Sequence, residues 1–231
     1  VRAIMMPFRY TSTMSQEDAA EQAERMGFTY DVVPIAPIYD ATVGQLEPLF
    51  EGREVDVTEE NIQARCRGML LMAVSNKTGR MLLTTGNKSE LAVGYATLYG
   101  DMAGGFAPIK DCSKTLVYRL ARHRNSLGKV IPERVITREP SAELRPGQKD
   151  SDSLPDYAVL DPILEAFIEK DMSVEEITGL GFDRATVVRV LQMVKHNEYK
   201  RRQAPPGIRI STRAFGRDWR YPITSWYPFP G

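Results

Sequence analysis

The run ENIQARCRGMLLMAVSNKTGRMLLTTGNKSE, residues 60–90, changes its apolar period partway along, and that change decides the fold. Ile62, Cys66, Met69, Leu70, Ala73 and Val74 recur at i, i+4, i+7, i+8, i+11 and i+12, one apolar stripe on a helix starting near Thr58. Gly79 stops that helix, and Met81–Thr85 reads as a short buried strand. The same alternation runs upstream. Arg2–Met6 is an apolar strand stopped by Pro7. Ser15, with Asp18 three residues on, resembles an N-cap for a helix through Ala19, Ala20, Ala23 and Met26 to Gly27. Tyr30–Ile35 is a second strand, ended by Pro34 and Pro37. Strand, helix, strand, helix, strand at this spacing needs parallel crossovers with helices on the sheet faces. The fold class is α/β, a doubly wound parallel sheet of Rossmann-like type.

Beyond Thr85 the strands stop. Helical patterns around Lys88–Thr97, Ser113–Arg124, Asp156–Lys170 and Asp183–Tyr199 make a helical C-terminal part. Between them PSAELRPGQKDSDSLP, residues 140–155, is polar and turn-rich, the composition of an exposed, mobile loop.

At 231 residues, with 42% apolar and 26% charged side chains, the chain can bury a real core. No run approaches the roughly 18 apolar residues of a membrane span. Two cysteines, Cys66 and Cys112, are too few for a disulfide scaffold and suit a reducing, cytoplasmic compartment. Val1–Pro7 is too short and too quickly polar for a signal peptide. Thirty basic residues balance thirty acidic ones, yet Lys195–Arg220 carries +6. A local cluster on a balanced chain points to an anionic ligand, with a solvated tail as the alternative. Pro205-Pro206-Gly207 breaks this segment, and the aromatic run Trp226–Phe229 suits docking better than tracking a nucleic-acid backbone.

In an open parallel sheet, ligands sit beyond the carboxyl ends of the strands. Met6 ends the first strand. Thr85 ends the third, followed by Gly86, where a ligand can approach the backbone, and by Glu90 at a helix start. A carboxylate there favours the helix dipole, and it is equally a hard oxygen ligand for magnesium beside phosphates. Lys114 also opens a helix, where a cation is unfavourable unless it meets an anion.

The run TTGNKSELAVGYATLYGDMAGGFAPIKDCSKT at Thr84–Thr115 resembles the signature of NAD synthetases, members of the ATP-pyrophosphatase group with the adenine nucleotide alpha hydrolase-like fold. So do MPFRYTS at Met6–Ser12, ENIQARCRGMLLMAVSN at Glu60–Asn76, REPSAELRPGQKDSDSLPDY at Arg138–Tyr157 and EYKRRQAPPGIRI at Glu198–Ile210. TTGNKSE, TLYGDMAGGF and KRRQAPP are most similar to the synthetase domain of glutamine-dependent enzymes. The resemblance implies ATP-dependent amidation of deamido-NAD through a nicotinate adenylate, releasing pyrophosphate and then AMP, with ammonia supplied free or from glutamine. It implies magnesium and a homodimer or higher homo-oligomer, to which the Met- and Leu-rich Thr58–Asn76 helix could contribute, and neither nucleic acid nor membrane as partner.

Residue by residue, the resemblance places Met6, Thr85, Lys114 and Ser141 on ATP, and Glu90 on magnesium. It places Asn61, Glu90, the turn Tyr95, Ala96, Thr97, Leu98, then Met102 and Lys200 on deamido-NAD; Arg65, one turn after Asn61, joins them. Met6 also reads as an ordinary core methionine. Cys66 lies on the apolar stripe and reads as a core thiol; Cys112 precedes a helix start, where its pKa could fall. His123 and His196 have no ligand-like neighbours. The family's SGGxDS loop does not occur here, and the family pattern places it upstream of Val1, so this polypeptide alone is expected to be inactive or poorly folded. Rival readings are a GMP synthetase-like enzyme of the same group, which lacks TLYGDMAGGF and KRRQAPP, and a non-catalytic nucleotide-binding fragment.

Overall fold

The computed structural model describes residues 1–224, so the Trp226–Phe229 run lies outside the described residues. The chain divides into two compact units, residues 1–80 with 118–153, and residues 81–117 with those from 154 onward.

In the first unit β1 (Arg2–Met5) pairs in parallel with β2 (Thr29–Val32), Arg2 facing Thr29 and Met5 facing Val32. The crossover is α1 (Thr13–Met26). Its N-cap is Ser12, not Ser15: Ser12 has the extended backbone a cap needs, and its hydroxyl accepts the Ser15 N–H, leaving Ser15 inside the first turn. Gly27 closes the helix at φ 66°, where its N–H reaches the Ala23 and Glu24 carbonyls.

After β2 comes α2 (Ala36–Phe50), which the sequence reading passed over. Pro37 looks like a strand stop, yet a proline in the first helical turn costs no hydrogen bond. α3 (Val57–Thr78) then starts at the Asp56 cap, boxed by Glu59, and stops at Gly79 with φ 67°. Ile62 and Cys66 are buried with Phe8 and Ile35, and Leu70 packs at the margin. Met69 and Ala73 are exposed instead, Met69 by 53%. The buried seam keeps only the four-residue spacing Ile62–Cys66–Leu70.

In the second unit Met81–Thr85 does not extend the β1–β2 sheet; among the described residues its pairing is one parallel bridge, Leu83 with Phe106. Thr84 N–H donates to the Phe106 carbonyl at 2.9 Å, and Gly105 N–H to that of Leu82 at 2.9 Å. Gly104 permits this approach, since a Cβ there would fall 2.6 Å from the Thr84 methyl and 3.0 Å from the Leu82 carbonyl. α4 (Lys88–Val93) follows, then α5 (Lys114–Ser126), within which the boundary between the units falls.

α6 (Glu133–Thr137) and a 3₁₀ turn at Asp150–Asp152 belong to the first unit. The 140–155 stretch, which contains that turn, is tied by hydrogen bonds. Asp150 N–H donates to the Pro140 carbonyl at 3.0 Å, Leu144 N–H to Gln148 Oε1 at 2.8 Å, and Gln63 Nε2 of α3 to the Leu144 carbonyl at 2.8 Å.

The second unit is completed by α7 (Tyr157–Lys170), α8 (Val174–Gly179), α9 (Arg184–His196) and α10 (Glu198–Arg201), with Asp156, Ser173 and Asp183 as side-chain caps of the first three. Leu160, Ile163, Ile177, Val187, Val190 and Leu191 are fully buried between them. From Pro206 to Trp219 the chain runs back as a strap. Ala107 N–H donates to the Pro206 carbonyl at 2.8 Å, and a Cβ on Gly207 would fall 2.5 Å from the Ala107 carbonyl.

Candidate nucleotide and dinucleotide site

The TTGNKSE run is built as a helix start. Asn87 is extended and caps α4: its Oδ1 accepts the Glu90 N–H at 3.0 Å, while Glu90 Oε2 accepts the Asn87 N–H at 3.3 Å. The second carboxylate oxygen of Glu90 points elsewhere and accepts from Lys114 Nζ at 2.9 Å, with both side chains 18% exposed. The capping role and the ion-pair role are thus carried by different oxygens of one carboxylate. Lys114 also lies with Nζ 5.3 Å from the centre of the Tyr157 ring, a cation–π contact. Thr85 is exposed, two residues before the Asn87 cap.

The two helix starts are braced against each other. Lys88 N–H donates to the Cys112 carbonyl at 2.7 Å, and Lys114 N–H to Ser89 Oγ at 2.9 Å. Asp161 of α7 accepts from the Ser89 hydroxyl and, at 2.8 and 2.7 Å, from Thr115 N–H and Oγ1.

The C-terminal end of α4 carries the second cluster. Gly94 closes the helix at φ 74°, and Lys200 Nζ donates to the Gly94 and Ala96 carbonyls at 2.7 and 2.8 Å. Thr97 N–H donates to Asp101 Oδ1 at 2.6 Å, Tyr95 N–H donates to the Glu90 carbonyl at 2.9 Å, and Met102 is buried in the helical core. Glu90, Tyr95, Ala96, Thr97, Leu98, Met102 and Lys200 therefore all belong to the second unit. Burial pulls the Lys200 ammonium below the usual lysine range, with Asp101 opposing it.

The first unit holds Met6, Asn61, Arg65 and Ser141. The Met6 carbonyl accepts from Arg67 Nε at 3.0 Å, and its side chain packs with the Phe8–Ile62–Cys66 cluster. Asn61 is partly buried and Arg65 exposed, one turn apart on α3. The Ser141 hydroxyl donates to the Gln148 carbonyl and accepts the Glu143 N–H at 3.1 Å.

One expectation is corrected. Burial pushes the Cys112 thiol up, as does neighbouring Asp111, so the helix start does not activate it. Cys66 is raised by burial too. Within the basic C-terminal segment Arg201 and Arg202 pair with Glu198 and Arg209 with Asp218, acids already counted in its +6, and Arg213 pairs with Asp171 outside it.

Among the residues that sequence reasoning missed are Asp101, which holds the Thr97 turn, and Lys88, which is 6% exposed and sits among carboxylates. Lys88 Nζ meets Asp111 at 3.1 Å and Glu169 at 2.7 Å. A lysine two residues before Glu90 gives no hint of burial by itself.

Burial works against the charge on Asp111, but the Ile210 and Ser211 N–H groups, the Ser211 hydroxyl and Lys88 outweigh it and hold its pKa below the usual 3.8. Glu169 is likewise opposed by burial and held below 4.5 by Lys88 and Thr212. Carboxylates with lowered folded-state pKa values add stability that is full above their unfolded values and is lost as pH falls through the folded ones. Unfolding free energy should therefore fall on acidification below about pH 4.5. Denaturant titrations from pH 6 to 3 should show a shallower fall for Asp111→Asn; an unchanged slope would remove Asp111 from the linkage.

A parallel β–α–β unit and a helical unit define an α/β protein of Rossmann-like class. The family model described as NAD synthase matches residues 1–204, and the chain belongs to that family. It is 58% identical, over 99% of its own length and 43% of the relative's, to the glutamine-dependent NAD(+) synthetase of Acinetobacter baylyi. Among solved structures it matches glutamine-dependent NAD+ synthetase from Acinetobacter baumannii in complex with ADP. That match has TM-score 0.60 and 53% identity, covering 99% of this chain and 41% of that one. The Cytophaga hutchinsonii glutamine-dependent enzyme matches with TM-score 0.79 at 25% identity, covering 97% and 38%. The chain thus spans less than half the length of these relatives.

Proposed function

We propose that this chain carries the synthetase chemistry of a cytoplasmic, homodimeric NAD synthetase: ATP-dependent amidation of deamido-NAD to NAD, with ammonia taken free or from glutamine. The observation that carries the reading is the Glu90–Lys114 pair at the braced starts of α4 and α5, within a chain of the NAD synthase family.

The reaction must bring anions together. A nicotinate carboxylate oxygen bonds to the α-phosphorus of ATP as the bond to pyrophosphate breaks; ammonia then bonds to the activated carbonyl carbon and AMP departs with its electron pair. Lys114 Nζ meets the phosphates and offsets their charge, and its Tyr157 and Glu90 contacts hold it in place beforehand. Thr85, at the exposed end of its strand-like segment, and Ser141 supply hydroxyls to ATP. Met6 flanks the adenine. Lys200 and the Tyr95–Leu98 turn, with Met102, Asn61 and Arg65, hold deamido-NAD.

Glu90 is the residue that would hold magnesium. No group of three or more His, Cys, Asp or Glu forms a cage among the described residues. One carboxylate oxygen facing a phosphate-binding lysine fits the way this ion is bound, by one or two carboxylates plus substrate phosphates. When bound it neutralises phosphate charge. The exposed Met69 and Met72 of α3 supply a subunit contact.

The test is ATP–pyrophosphate exchange by the enzyme carrying these residues. Exchange that requires deamido-NAD, and does not occur with xanthylate in its place, is the expected result. Exchange driven by xanthylate, or none with either acid, contradicts the reading.

A further inference from the structure

Residues 206–219 lie beyond the stretch matched by the NAD synthase model, yet they reach the base of the Glu90–Lys114 pair. Ser211 is the point of contact. Its hydroxyl accepts from Lys88 Nζ at 2.7 Å and donates to Asp111 at 2.8 Å, while the Ile210 and Ser211 N–H groups donate to Asp111 Oδ2 at 2.8 and 2.7 Å. The Arg213 carbonyl takes a further Lys88 N–H at 2.9 Å, and Thr212 Oγ1 donates to Glu169 at 2.9 Å. Phe215 is buried, its ring centre 6.0 Å from Lys88 Nζ.

We propose that this strap is a positioning element for the phosphate site: Ser211, Asp111 and Lys88 set the separation of the two helix starts that carry Glu90 and Lys114. The proposal rests on the synthetase reading.

The chain of contacts is short. Lys88 is the first residue of α4, two before Glu90, and Asp111 lies three before Lys114. The Lys88 N–H to Cys112 carbonyl bond already joins the two segments through their backbones. The buried ammonium of Lys88 clamps them again through Asp111, and the strap closes the clamp by satisfying Asp111 with three donors. A buried charge of either sign is costly unless fully paired, so removing one strap donor weakens both ends of the clamp together. The clamp touches no substrate. It acts through the distance between a carboxylate oxygen and an ammonium nitrogen, the quantity on which charge neutralisation depends most steeply.

Ser211→Ala removes one hydroxyl and no charge, and Ser211→Thr keeps the hydroxyl. In the enzyme carrying these residues, Ser211→Ala should lower kcat for deamido-NAD-dependent pyrophosphate exchange about tenfold while KM for deamido-NAD stays within about twofold, and Ser211→Thr should restore most of it. A core variant outside the clamp, Val190→Ala of α9, chosen for a similar drop in Tm, should leave kcat unchanged. In parallel, brief acetylation read by mass spectrometry should label Lys114 several-fold faster in Ser211→Ala than in wild type, with Lys200 unchanged. Wild-type kcat together with a wild-type Lys114 labelling rate in Ser211→Ala, at a lowered Tm, would reduce the strap to a stabilising segment. If the wild type shows no exchange, the synthetase reading fails, and the Lys114 labelling ratio still decides the strap.

Discussion

Glu90→Ala is expected to cut deamido-NAD-dependent adenylation by about 10²- to 10³-fold, the usual loss when one preorganised charge-stabilising group is removed. Two effects add. In its proposed role the magnesium ligand opposite the phosphates disappears, and Lys114 loses its 2.9 Å partner. Glu90→Gln separates them: the amide oxygen can still accept from one helix start, so the fold of α4 survives while the negative charge is gone. The capping box contributes only about 1 kcal/mol to stability, so a large fall in kcat with a small fall in Tm is the expected pattern. Stopped assays of AMP release, with denaturant unfolding alongside, read both quantities. Loss of activity in proportion to loss of folded protein would return Glu90 to a purely helix-capping role.

The second large effect is on stability. Arg201 and Glu198 are 3% and 2% exposed, with Arg201 Nε 3.1 Å from Glu198 Oε2. The guanidinium also donates to the Ala92 carbonyl at 2.6 Å and to that of Val194, tying α10 to α4 and α9, and it lies over the Phe215 and Trp219 rings at 5.1 and 5.6 Å. Arg201→Met removes the cation, leaves Glu198 with Arg202, the more exposed of its two partners, and strips the Leu91, Ala92 and Val194 carbonyls of a donor. Breaking such a buried pair costs about 3–5 kcal/mol, a large share of the roughly 5–15 kcal/mol of a typical domain. The double variant Arg201→Met/Glu198→Gln should recover part of that loss, because no uncompensated charge then stays buried. Urea titrations of the three variants test this; equal losses in single and double variants would place the cost in packing alone.

Both effects show what the sequence makes legible and what it withholds. The α3 helix, its Gly79 stop and the first parallel strand pair follow from spacing that one residue imposes on its neighbours, although Met69 and Ala73 of the α3 stripe are exposed. α2 was hidden because Pro37 serves a strand end and a helix start equally well. The Met81–Thr85 run has strand composition, but composition does not say which partner it takes, and Phe106 is the one it finds. At the site, Glu90 and Lys114 could be named from their motif, whereas the 2.9 Å between them depends on a fold that brings positions 24 residues apart into contact. Arg201 is the opposite case. In sequence it is one of a run of cations, and only packing around Glu198 makes it a core residue rather than part of an anion-binding face.

The central claim is that the Glu90–Lys114 pair receives the triphosphate. A crystal structure of the enzyme carrying these residues, with a non-hydrolysable ATP analogue, magnesium and deamido-NAD, addresses it without reference to rates. Phosphate oxygens within hydrogen-bond distance of Lys114 Nζ, with the Glu90 carboxylate turned toward the same phosphates and the nicotinate carboxylate beside the α-phosphorus, is the predicted result. A nucleotide bound with its phosphates far from both side chains, and the pair still closed on itself, would contradict it.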